Sequence, residues 1–146
     1  MPYLILLSLL LPLNALAGCK PGAPEAFARF IDAFARDKTF ALARTLYPMP
    51  ILRHEIGYED GKVIDETVAT PLSREDDAAL PTMRSYARDN GLQLSTSSVR
   101  KGSGSAGSAG SATVRIEKPD TDWLLTYHFV RRAGCWYLQR IEDHSV

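Results

Sequence analysis

Residues 123–141 read WLLTYHFVRRAGCWYLQRI, two aromatic and aliphatic runs either side of a polar break at Arg131-Arg132-Ala133-Gly134. This is a β-hairpin pattern, because side chains alternate along a strand and paired residues share a face. With the turn at 131–134, Val130 pairs with Cys135, Phe129 with Trp136 and Tyr127 with Leu138. One face then carries Trp123, Leu125, Tyr127, Phe129, Trp136 and Leu138. The other carries Leu124, Thr126, His128, Val130, Cys135, Tyr137, Gln139 and Ile141. The first face is the more apolar and is expected to meet a helix. Edge strands are usually charged and poor in aromatics, so the hairpin belongs inside a sheet.

The partner for that face lies upstream. In Glu25–Arg36, Phe27, Phe30, Ile31 and Phe34 fall on one side of a helix. Asp37-Lys38-Thr39 interrupts it, and a short helix over Phe40–Leu46 stops before Tyr47-Pro48, since a residue preceding proline is pushed out of the helical region. Ile51–Tyr58 and Lys62–Thr70 form a second hairpin turning at Glu59-Asp60-Gly61, its polar second strand at an edge. Ser73 caps a helix that Leu80-Pro81 breaks, Thr82–Asp89 forms another, and Leu92–Arg100 is a strand. Residues 102–112, GSGSAGSAGSA, offer nothing to pack and read as a flexible loop. Thr113–Glu117 resumes the sheet with Val114 and Ile116 inward. Helices on one face of a curved antiparallel sheet make a single α+β domain over 25–146.

The N-terminus reads differently. Tyr3–Leu13 is almost wholly apolar and is followed by small residues, so 1–18 has the form of a signal peptide. Leu16-Ala17-Gly18-Cys19 resembles a bacterial lipobox. The resemblance implies cleavage before Cys19 and a lipid anchor on its sulfur, and the two prolines and glycine that follow read as an extended tether over 19–24. Lys20, rather than Asp, after the Cys implies an outer-membrane protein facing the periplasm. Ala15-Leu16-Ala17 equally fits ordinary secretion. In that case the protein is soluble in the periplasm, and Cys19 and Cys135, the two cysteines of the chain, are free to form a disulfide. With lipid on Cys19, Cys135 is a free thiol.

Seventeen basic and seventeen acidic residues give no net charge, which argues against nucleic acid as a partner, since phosphate binding needs a positive excess. The three histidines, His54, His128 and His144, are far apart in sequence and no Cys/His spacing suits zinc, so neither metal nor cofactor is implied.

The pattern Phe27-x-x-Phe30-Ile31-x-x-Phe34-x-x-Asp37-x-x-Phe40-x-x-x-Arg44-x-x-Tyr47-Pro48, with the ending Trp136-Tyr137-Leu138-Gln139-Arg140-Ile141, resembles uncharacterised bacterial envelope proteins and lipoproteins. The resemblance implies a cystatin-like, or nuclear-transport-factor-2-like, domain. That fold hosts isomerases, dehydratases, ligand-binding modules and interaction domains, so it implies no chemistry.

The expected function is non-catalytic binding of a protein partner or a small apolar ligand near the membrane. An isomerase- or dehydratase-like enzyme would instead use a cavity between sheet and helices. Its candidate groups are His54 and Tyr58, on one face of a strand, and Asp65, since a base works best with its pKa moved toward neutrality by burial. Trp123, Tyr127, Phe129 and Trp136 either line a ligand pocket or are core, and Arg44 either contacts an anion or pairs with an acid. An immunity-type inhibitor of an envelope toxin would show acids or aromatics around Glu55–Glu66.

Overall fold

A computed structural model describes residues 19–20, 22–102 and 109–145, so the signal segment lies outside the described residues. Ten elements follow in order: α1 (Phe27–Arg36), α2 (Lys38–Ala43), β1 (Met49–Glu59), β2 (Lys62–Leu72), α3 (Arg74–Ala78), α4 (Met83–Asp89), β3 (Gln93–Lys101), β4 (Gly110–Glu117), β5 (Leu124–Arg132) and β6 (Cys135–Asp143). The strands form one sheet in the order β2-β1-β6-β5-β4-β3. All neighbours are antiparallel except β1 and β6, which run parallel over Ile51–Arg53 and Ile141–Asp143.

The aromatic hairpin, β5 and β6, is the centre of this sheet. Its turn is tighter than expected: Arg132 pairs with Cys135, leaving Ala133 and Gly134, both at positive φ, as the two turn residues. The pairing is therefore two residues out from Val130–Cys135, a shift that preserves the faces. Phe129 and Trp136 are buried together. Farther along, an irregularity between His128 and Phe129 adds one residue to β6, so that Tyr127 faces Ile141. A bulge reverses the alternation beyond it. Ile141, assigned by simple parity to the mixed face, thereby joins the core face, as does Asp143.

α1 lies on this face as its spacing requires. Phe27 meets Trp136 at 4.9 Å between ring centroids, and Phe34 meets Phe129 at 5.2 Å, both edge to face. Asp37 alone separates α1 from α2, because its side chain accepts the Phe40 N–H at 3.0 Å and caps the second helix. α2 therefore spans Lys38–Ala43 rather than Phe40–Leu46.

Two further expectations are corrected. The Gly/Ser/Ala stretch is not all loop: β4 begins at Gly110, and Ala112 is 1% exposed. Small residues suit this site, since a Cβ on Gly110 would come within 2.9 Å of the Arg100 carbonyl and 3.3 Å of the Trp136 ring. Nor does the N-terminal segment stand clear of the domain. Cys19 is joined to Cys135 by a disulfide, and the Glu25 N–H donates to the Gly134 carbonyl at 3.0 Å. Cys135 is thus not the free thiol expected beside a lipidated Cys19. A lipid thioether would need the same Cys19 sulfur, so the two forms exclude each other.

Candidate functional site

Between the sheet and the helices lies a cavity of about 360 Å³. Its floor is Ile51, Leu72, Leu125, Tyr127, Leu138 and Ile141, all on the helix side of the sheet. Phe34 and Ala41 close one side, and Leu80, Pro81, Met83 and Tyr86 close the other. The bulge in β6 contributes directly, because it turns Ile141 and Asp143 toward this space. A Pro-containing link between α3 and α4 sets the wall, so the break expected at Leu80-Pro81 has a structural use.

Two carboxylates stand at the cavity, each already partnered. Asp77 accepts from Lys38 Nζ at 2.6 Å and from the Tyr47 hydroxyl. Burial and the hydrogen bond to Asp77 push the Tyr47 phenol well above its ordinary range. Asp143 accepts from Arg53 Nε at 3.3 Å and from the N–H and hydroxyl of Ser145. Burial raises the Asp143 pKa, but the hydrogen bonds from Ser145 and Arg53 outweigh it and hold the carboxyl below its ordinary range. Tyr127 differs. Its phenol has no hydrogen-bond partner among the described residues, and burial first, then Tyr86, Asp77 and Asp143, push its pKa far up. It is a neutral donor facing a mostly apolar space.

The expected catalytic group does not assemble here. Alternation along β1 turns Met49, Ile51 and Arg53 toward the helices and His54 away from them. Tyr58 is exposed near the far end of β1, and Asp65 is exposed on β2, opposite Ile56. Of the four aromatic residues, Trp123 and Tyr127 line the cavity, whereas Phe129 and Trp136 are core. Arg44 is buried, donating to Glu25 at 3.1 Å and to the Trp136 carbonyl at 3.2 Å, with Phe40 and Tyr137 against its guanidinium. Its charge is committed to Glu25 and it does not line the cavity. Lys38, Asp77, Arg53 and Asp143 escaped sequence reasoning, because no local pattern marks residues joined only by tertiary packing.

On the opposite face of the sheet the three histidines come together. The rings of His54 and His144 stack at 4.9 Å. Glu142 stands 3.2 Å from His128 Nε2 and 3.4 Å from His144 Nε2. Burial and the Arg140 charge lower the His128 pKa. Among the described residues, no group of three or more His, Cys, Asp or Glu is placed to hold a metal ion.

No protein-family model and no curated protein matches the chain. Solved structures do resemble it. An NTF2-like protein from Bacteroides fragilis matches with a TM-score of 0.51 at 18% identity, over 84% of this chain and 48% of that one. The chain thus spans about half the length of that relative. An NTF-2 like protein of unknown function from Silicibacter pomeroyi matches with a TM-score of 0.42 at 15% identity, over 83% of this chain and 93% of its own. One from Methylobacillus flagellatus, also an NTF2-like protein of unknown function, gives 0.36 at 14% identity, over 80% and 83%. With helices packed on a curved six-stranded sheet and this likeness to the Bacteroides fragilis protein, the chain is a single α+β domain of the NTF2-like fold.

Proposed function

We propose that this is an exported binding protein whose cavity takes a small, largely apolar molecule carrying one hydrogen-bond acceptor, without turnover. The observation that carries the reading is Tyr127, a neutral phenol with no hydrogen-bond partner among the described residues, facing a mostly apolar cavity of about 360 Å³. Ligand pockets run from roughly 300 to 1,000 Å³ with a few polar groups that orient the ligand, so this one suits a small guest. Both cavity carboxylates are held in ion pairs, Asp77 with Lys38 and Asp143 with Arg53, which favours binding over proton transfer. The disulfide supports export, since such bonds persist in oxidising compartments.

The test compares two ligands of one shape, 2-acetylnaphthalene with its carbonyl and 2-isopropenylnaphthalene without it. The ketone is expected to bind about five- to tenfold more tightly, as one neutral hydrogen bond allows. Tyr127→Phe should erase that difference while leaving the hydrocarbon unaffected. Failure of both to bind, or an undiminished preference in Tyr127→Phe, would sink the reading.

A further inference from the structure

β1 and β2 pair along their whole length, from Met49 with Leu72 to Glu59 with Lys62, but β6 accompanies β1 only over Ile51–Arg53. Beyond that point the two strands leave the sheet as an arm, and every residue from Glu55 to Thr67 is exposed. An isolated two-stranded ribbon is marginal in water. This one also exposes apolar side chains: Ile56 is 58%, Tyr58 79% and Val63 63% exposed, all on one face, with Tyr58 directly opposite Val63.

The other face carries Glu55, Glu59 and Glu66 with Lys62 and Ile64, while Asp65, opposite Ile56, adds one carboxylate to the apolar face. Glu55 is paired with Glu66 across the strands, and like charges so placed oppose the pairing. From Glu55 to Thr67 the arm holds five carboxylates and one lysine, a net charge of −4. Among the described residues β2 ends the sheet, so its outer edge has no strand of this chain beside it. A free edge invites another strand, and acids on it deter a second copy of the same acidic arm while admitting a basic chain.

We propose that the outer edge of β2 receives an extended cationic strand from another protein, its lysines or arginines on the face of Glu66 and, behind it on β1, Glu55, and its apolar side chains on the face of Val63, with Tyr58 and Ile56 behind. This stands apart from the cavity and holds whether or not the cavity binds a ligand.

The oxidised chain from residue 19 onward would be titrated with three peptides of about a dozen residues. Each alternates valine with lysine, serine or glutamate. The lysine peptide is expected to bind at least about tenfold more tightly than the serine peptide, with affinity falling as salt rises. Amide shifts should gather on Val63–Val68. The double variant Glu55→Gln, Glu66→Gln should lose that preference while remaining at least as stable, since it relieves a like-charge pair. Equal binding of the lysine and serine peptides, no binding, shifts confined to the helices, or dimerisation of the protein alone through this arm would each overturn the proposal.

Discussion

Arg44 shows how much one side chain holds here. It joins α2's end to Glu25 and to the β6 backbone at Trp136, from a position 6% exposed. Removing it leaves the partly buried Glu25 carboxylate without its cation. Arg44→Ala is therefore expected to cost about 3 kcal/mol or more, read by urea unfolding of the oxidised protein. Glu25→Gln, which keeps a hydrogen-bonding group, should cost less. A different limit applies at Gly110, where an added methyl group meets a backbone carbonyl that cannot swing aside. Gly110→Ala should cost about 1–3 kcal/mol by the same measurement. An Ala variant as stable as the parent would show that β4 shifts freely there. Neither role is written in the local sequence. Arg44 carried a choice between anion and acid partner, and Gly110 looked like one more residue of a low-complexity run. Glu25, nineteen residues upstream, decides the first, and the Arg100 carbonyl together with the Trp136 ring decides the second.

At the level of elements, alternation and helical spacing made much of the architecture legible. They placed α1 against the central hairpin and put β2 at an edge. They could not foresee the bulge in β6, because one inserted residue leaves no mark in the hydrophobic pattern yet exchanges the faces beyond it. The cavity depends on that exchange, and so does the cluster of histidines, which needs the parallel contact of β1 with β6. This cluster makes stability depend on pH. The folded-state pKa of His128 is lowered by burial and then by Arg140, so the unfolded chain takes up the proton first. Stability should fall as pH drops through 6.5, the ordinary value of the group. Burial raises the Glu142 pKa, but His128 and Arg140 outweigh it and lower it overall. Its contribution is therefore complete above 4.5 and is lost as pH falls through the folded-state value. Melting temperatures measured from neutral to acid pH should decline in two stages, and His128→Asn should remove the earlier one. A flat profile down to the carboxylate range would refute the assignment.

For the molecule as a whole, the disulfide spans 116 positions, from the start of the described chain to the first residue of β6. Chain-entropy arguments assign a loop of that size about 4–5 kcal/mol, and Cys19→Ser with Cys135→Ser should lose much of this in chemical unfolding. Intact mass separates this form from a lipidated one. A secreted chain beginning at Gly18 would weigh a pair of hydrogens less than its reduced form, whereas a lipoprotein would begin at Cys19 and carry acyl mass. The bond also closes residues 19–135 of a linear polypeptide into a covalent ring. A protease that cuts once anywhere inside the ring, the Gly/Ser/Ala stretch included, yields no separate fragments. The nicked protein should run as one band on a non-reducing gel and as two after thiol treatment, so in an oxidising compartment a single cut leaves the two pieces tied together.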